Sequence, residues 1–334
     1  MPIAFRPRLP RRTRARRHAA AGPPTPERTQ PHVERLSHSD IEWIHIEEPS
    51  ALERAWLAEH FDFHALDLED VLSRNQRPKI DVYDDYLFIV LHFPVFEKAT
   101  GRLLTAEVDT FVGPDFLITL SEQQLPPLSA LFERHGESEE LRETAFSNGP
   151  GYLLYRIVDR CVDGSFPMLR KMGAKLDRLE DDIFEGRSAE IVRDLSEAKQ
   201  EIINFRRIVR PMRAVLRDLE RTKQRYLAEE LEIYFDDISD AAERIWDILE
   251  NFKEVVEALE DSNESVLSHR VNEALRVLTA FSVILLPQTL IASIFGMNVL
   301  FPGEGTAAGF WVLLLLMAAI TIGLLLFFRR RGWL

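Results

Sequence analysis

The chain has 334 residues, with 41 Lys and Arg against 54 Asp and Glu for a formal net charge of −13, nine histidines and one cysteine. The lone Cys161 excludes an internal disulfide framework and a zinc site built from several thiolates, and is expected to be a buried structural thiol. The histidines show neither HExxH nor another paired spacing, and no Gly-rich phosphate loop or nucleophile elbow occurs, so catalysis has no foothold and the chain is read as a non-enzyme.

Residues 1–38 are rich in Arg and Pro and lack the long apolar run of a secretory signal. A solvated, disordered basic tail is expected, with attraction to anionic lipid headgroups as the sharper reading. Order is expected to begin near Ile41, where EWIHIEEP alternates like a half-buried strand. Ser50 should cap the short helix ALERAWLAEHF, and ALDLEDVLSRNQRPK should be helical to about Leu72 and break before Pro78. Three strands follow, Tyr86 to Val95, Leu103 to Val112 and Phe116 to Leu120, rich in β-branched and aromatic residues and separated by Gly101 and Gly113-Pro114. The region 39–145 is therefore read as an α/β domain with a largely antiparallel sheet.

From 146 to 225 the pattern predicts two long antiparallel helices joined near Glu185-Gly186-Arg187. Glu180, Asp181, Asp182 and Glu185 make the tip acidic, a solvated surface that would also collect divalent cations loosely. Pro211 should bend the second helix. The stalk, 226–274, carries Phe235, Ile238, Ala242, Ile245, Leu249, Phe252, Val256 and Leu259 in alternating threes and fours, a heptad seam continued by Asn263 and Arg270. With no breaker before Pro287, one helix from about Tyr226 to Gly296 is expected, ~105 Å at 1.5 Å per residue, packed against copies of itself. Fourteen acids between Glu229 and Glu264 face only Arg244 and Lys253 within that span. Two like charges ~4 Å apart repel by ~4 kcal/mol at an effective dielectric of ~20, so cations between such rods would decide their arrangement. Carboxylate oxygens suit Mg2+ or Ca2+. A plain solvated acidic helix fits the same charge pattern.

From Leu275 to Asn298 the only charge is Arg276, and the run is long enough to cross a hydrocarbon core of ~30 Å. A second span, 309–328, follows the short loop 299–308 and ends in Arg329, Arg330 and Arg331, within the basic terminus 329–334. Basic residues at the far ends of this hairpin place both termini in the cytoplasm and the loop, with its single charge Glu304, outside. Ser282, Thr289, Ser293 and Gly296 share one helical face, which suits either close helix packing or a polar path. Pro287 frees one backbone carbonyl beside it. Two helices cannot enclose a polar path alone, so transport would require several subunits around an axis.

The run NEALRVLT, then Pro287-Gln288-Thr289, then Gly296-Met297-Asn298, a short loop, a second apolar helix and a basic end at Trp333-Leu334 resembles the CorA family of divalent-cation transporters. LEDVLSRNQRPK with the following YLFIVL, YLLYRIVD, and YFDD at 234–237 extend the resemblance from about residue 40 onward. It implies a funnel-shaped homopentamer in which an α+β cytoplasmic domain and long helices lead to a helical membrane hairpin. The membrane potential would drive Mg2+ through a pore lined by the first membrane helix. Carried over to this sequence, Asn298 would contact the hydrated ion at the outer mouth, with Gly296 and Met297 shaping the turn. Thr289, Leu286, Ser282 and Asn272 would line the pore, Leu278 and Leu275 would form its hydrophobic constriction, and Glu304 would concentrate cations outside. Asp70 and Asp237 would bridge a regulatory Mg2+ between subunits, with Glu69 and Asp261 as companions. Co2+ and Ni2+ would be incidental passengers, no nucleic acid or organic substrate is implied, and a bacterial inner membrane is the expected location. The outer loop VLFPGEGTAAG departs from the typical magnesium members, which leaves a zinc transporter of the same family, proton-coupled or not, as an alternative. A membrane-tethered coiled-coil scaffold is the alternative from another class.

Overall fold

The computed structural model describes residues 29–73, 76–97, 101–121, 124–185, 188–222, 231–297 and 306–333. Its N-terminal part is a six-stranded sheet of order β1-β2-β6-β5-β4-β3, built from β1 (Glu34–His38), β2 (Ile41–Glu47), β3 (Lys79–Val82), β4 (Leu87–Glu97), β5 (Arg102–Val112) and β6 (Phe116–Ser121). All pairings are antiparallel except β2 with β6, which fits the expected largely antiparallel sheet. β1 occupies the end of the stretch expected to be a disordered tail. Its residues carry little apolar signal, and its pairing with β2, from Glu34↔His45 to His38↔Ile41, holds it. Residues 1–28 of that tail lie outside the described residues. β3 was also not anticipated: it is a four-residue edge strand held by β4.

The period-two alternation of β4 sorts its side chains between two cores. Leu87, Ile89, Leu91 and Phe93 enter the larger core with the C-terminal helices, whereas Phe88 and Val90 enter a smaller one. The smaller core lies under α1 (Ala51–His60) and α2 (Ala65–Asp70). Ser50 and Glu53 form a reciprocal capping box at the start of α1. α2 stops at Asp70, two residues short of its expected end.

The chain then turns helical through α3 (Pro126–Glu137), α4 (Glu139–Phe146), α5 (Gly149–Asp163), α6 (Phe166–Glu185) and α7 (Ser188–Arg221). The expected helical pair is thus three helices, because the first of the two is cut at Gly164-Ser165. A Cβ on Gly164 would sit 2.8 Å from the Pro127 ring of α3, so close approach of α3 to this corner requires glycine. Cys161 is buried in α5, and burial pushes its thiol up, well above the usual range. Pro211 sits inside α7.

The next helix, α8 (Glu232–Phe295), runs 64 residues without a break, ~96 Å at 1.5 Å per residue, as the sequence led us to expect. Its expected first turn, near Tyr226, lies outside the described residues. The heptad seam, however, does not wait for copies of itself. Phe235, Ile238, Ala242, Ile245, Leu249, Val256 and Leu259 are buried in the chain's own core, against α5, α6 and α7. A 3.5-residue period specifies an apolar stripe and not whose helix covers it. The acidic flanks also find partners that α8 does not supply. Arg213 and Arg217 of α7 pair with Glu243, Arg206 with Glu250, and Lys199 with Glu260, an antiparallel ladder in which Trp246 lies under the Arg206 and Arg213 guanidiniums at 5.0 and 4.7 Å.

The last helix, α9 (Ala307–Arg330), returns along the end of α8. Ala280 and Ile284 pack on Phe328, with Leu324 and Trp333 against them. Among the described residues, α8 and α9 are the helices long and apolar enough to cross a membrane.

Because the seam is internal, Leu249→Ala should destabilise the folded chain by about 2–5 kcal/mol while leaving its self-association unchanged. Thermal unfolding followed beside light scattering checks this. A change in self-association without a fall in melting temperature would return the seam to a contact between copies of the chain.

Candidate functional site

Asn272, Leu275, Leu278, Ser282, Leu286 and Thr289 follow one another along α8 in steps of three and four, so they fall on a single face. That face is bare in the single chain: Leu275, Leu278 and Leu286 are 52%, 63% and 66% exposed. Ala280 and Ile284, which meet α9, lie two residues from Ser282 and Leu286, about 200° around the helix. The second membrane helix therefore covers the back of α8 and leaves the polar line open.

The hydroxyls on this line are already committed as donors. Ser282 Oγ donates to the Leu278 carbonyl at 2.9 Å and Thr289 Oγ1 to the Leu285 carbonyl at 2.6 Å. Thr279 does the same to Leu275 at 2.7 Å. A hydroxyl that spends its proton on the preceding turn presents only lone pairs outward, so the stripe is a row of neutral oxygen acceptors between leucines. Sequence reading missed Thr279, although its spacing, four after Leu275 and three before Ser282, puts it on the same face. It also missed Gln288, whose two side-chain amide atoms are buried without a hydrogen-bond partner among the described residues.

At the end of α8, the Gly296 N–H donates to the Ala292 carbonyl at 2.9 Å. A Cβ on Gly296 would stand 2.9 Å from that same oxygen, so any larger residue must shift the helix end. Met297 follows, exposed. Asn298 and Glu304, expected at the outer mouth, lie outside the described residues. At the other end of the stripe, Asp261 and Asn272, eleven residues apart on α8, line one open groove of about 570 Å³ with Glu264, Ser265, Ser268 and His269. The stripe thus continues from the apolar segment into an acidic one.

The expected regulatory carboxylates are positioned separately. α2 is pinned to the sheet by Asp67, which accepts hydrogen bonds from Tyr86 at 2.7 Å and Tyr83 at 3.2 Å. Burial raises the Asp67 carboxyl above its usual range against the pull of those two hydroxyls. One turn on, Asp70 accepts from Lys79 Nζ and from Gln76 Nε2, both at 2.8 Å. Burial would lower the Lys79 ammonium, but its hydrogen bonds to Asp70 and Asp81 outweigh that and hold it above the usual range. Asp237 is exposed on the first turns of α8. Burial, then the charges of Asp163 and Asp237, raise the nearby Asp159 carboxyl of α5. No hydrogen bond or ion pair joins Asp70 or Glu69 to Asp237 or Asp261, and among the described residues no three carboxylate, His or Cys side chains gather as a metal-holding group.

Residues 38–330 match a family model described as CorA-like Mg2+ transporter protein. A Bacillus subtilis protein, YfjQ, which carries a provisional name as a metal ion transporter, is 33% identical over 307 residues, covering 90% of this chain and 93% of its own. The cobalt/magnesium transport protein CorA of Thermotoga maritima is 30% identical over 279 residues, covering 83% and 79%. Among solved structures, the CorA magnesium transporter of Methanocaldococcus jannaschii superposes with a TM-score of 0.79 at 22% identity, over 90% of this chain and 94% of that one.

The Asp67 anchor makes a direct prediction. Asp67→Asn keeps an acceptor for the tyrosines and should be nearly neutral, whereas Asp67→Leu strands two hydroxyls and should cost about 1–3 kcal/mol. Thermal melts of the two variants check this, and equal melting temperatures would show that α2 is held by other contacts.

Proposed function

Since the chain belongs to the CorA-like Mg2+ transporter family, we propose that it conducts divalent cations, Mg2+ foremost, through a homopentameric pore lined by α8. The observation that carries this reading is the uncharged stripe of acceptor oxygens and leucines on the face of α8 that α9 leaves open. Mg2+ sheds water reluctantly, so a path that passes it hydrated needs neutral oxygens to receive its water protons, not a carboxylate cage. From Leu275 to Met297 no His or Cys lies on the stripe to favour a softer ion. Leu275 and Leu278 would close the path by dewetting. With both termini in the cytoplasm of an inner membrane, inward flow gains ~4.6 kcal/mol per dication for each 100 mV of inside-negative potential.

Regulation follows from the carboxylates that one chain leaves apart. Asp70 of one subunit and Asp237 of its neighbour would share a cytoplasmic Mg2+, with Glu69 and Asp261 as further oxygen donors. Lys79 gives Asp70 a competing cation, so the metal must displace the ammonium before it can bridge. When cytoplasmic Mg2+ falls, Lys79 reclaims Asp70, the bridge opens and the leucine constriction wets. The α7 ladder neutralises Glu243, Glu250 and Glu260 within each subunit, so the repulsion that loosens the closed state comes from acids outside it, Asp237 included.

Flux into liposomes under an inside-negative potential, with Mg2+ and Zn2+ measured in parallel, tests the pore. Mg2+ influx that collapses in Asn298→Ala is expected. Zinc influx alone would make the chain a zinc transporter, and no flux of either ion would leave a membrane tether. For the sensor, Asp237→Lys should abolish inhibition by internal Mg2+, and Lys79→Met should move it to about tenfold lower Mg2+ by removing the competitor. Unchanged inhibition in both variants would remove these carboxylates from regulation.

A further inference from the structure

α7 sends its arginines in two directions. Arg206, Arg213 and Arg217 turn to α8 and pair with its glutamates. Arg207 and Arg210, three residues apart and so on one face, are exposed and have no ion-pair partner among the described residues. They line a cavity of about 740 Å³ between α7 and the sheet, and Arg77, also exposed and without an ion-pair partner among the described residues, reaches the same cavity from the segment before β3. The cavity also contains a carboxylate, Glu107, but that group is engaged: it accepts the Gln76 backbone N–H at 3.1 Å and lies 3.2 Å from His92 Nε2. Three guanidiniums around one opening repel one another unless an anion lies between them, and their planar forks fit phosphate oxygens in pairs. Ile208 and Pro211 give the cavity an apolar wall, and its volume is that of a small-molecule site.

We propose that this cavity binds a soluble polyphosphate anion, inorganic or nucleotide-borne, and that the bound anion tunes the Asp70 site. A lipid headgroup is out of reach. Arg206, next to Arg207, pairs with Glu250, which precedes Leu275 by 25 residues, ~37 Å along α8. The coupling runs through Gln76, which lines the cavity while its side-chain amide donates to Asp70 at 2.8 Å. A phosphate group on Arg77 pulls on the segment that also holds Lys79, the competitor for Asp70. The tuning rests on the reading of Asp70 as a regulatory ligand. The binding site does not.

Calorimetric titration of the full-length protein in detergent, in EDTA, with inorganic pyrophosphate and with ATP, tests the site without transport. Both anions should bind, more weakly as salt rises, and Arg207→Gln with Arg210→Gln should weaken them at least about tenfold. Tighter binding of ATP than of pyrophosphate would assign the apolar wall to the nucleoside, and equal binding would restrict recognition to the phosphates. No heat for either anion at millimolar concentration, or affinity unchanged in the double variant, would overturn the proposal. An oligomer that falls apart in the double variant, with no anion binding to the wild type, would assign the arginines to a neighbouring subunit's carboxylates instead. In liposomes with free internal Mg2+ buffered to the same series of values with and without it, internal pyrophosphate should shift the inhibition curve in the wild type and not in Gln76→Ala. An anion that binds without shifting it overturns the coupling alone.

Discussion

Everything in this molecule leans on one side of α8. Over its first eight turns that helix buries Phe235 through Leu259 against α5, α6 and α7, and the Arg and Lys ladder of α7 fixes its rotation as well as its depth. Rotation is what matters for the rest. A helix cannot turn at one end and stay still at the other, so the contacts that lock Glu243 and Glu250 also decide which face of residues 272–293 is presented more than 30 Å away. The membrane segment adds only a thin restraint of its own, the small cluster of Ala280 and Ile284 on Phe328.

The carboxylates at the other end are set by a different rule, since burial is expensive for a charge without a partner. Asp67 is spent on two tyrosines and keeps α2 in place, and Asp70 is left near the surface with a lysine and a glutamine. A carboxylate paired with a side-chain ammonium can exchange that partner for another cation more readily than one held by backbone donors. This places the adjustable charge on a rigid platform, with the Gln76–Lys79 segment between it and the arginine cavity.

Much of this was legible in the sequence wherever a period was involved. The β-branched and aromatic run from Tyr86 to Val95 gave the strand, though not which core each face enters, and the uncharged runs gave the hairpin. What a period does not carry is the identity of the partner. The seam of α8 reads the same whether a copy or α7 covers it, and its acids look unmatched until a helix some thirty to sixty residues earlier in sequence is brought alongside. β1 and β3 are short edge strands whose pairing, not their composition, makes them strands. The Gly164 corner depends on a proline ring from α3. Of the candidate site residues, spacing put Ser282, Thr289 and Gly296 on one face of α8, resemblance supplied Asn272, Leu275, Leu278, Leu286 and Asp261, Thr279 was overlooked although its spacing places it on that face, and the groove along Asp261 and Asn272 and the setting of Asp70 by Lys79 emerged only with the helices and β3 in place. Asn298 and Glu304 fall outside the described residues, so Asn298 stands on resemblance and Glu304 on the charge bias that puts its loop outside.

The single thiol has a practical meaning. Cys161 is sealed inside α5, and its burial suppresses the thiolate that alkylating reagents attack. The natural chain is therefore close to a silent background for site-directed labelling. A cysteine introduced at an exposed position such as Leu286 or Asp237 would be the one reactive thiol in the chain, and a spin label or fluorophore placed there would report on what approaches that position without first rebuilding the protein.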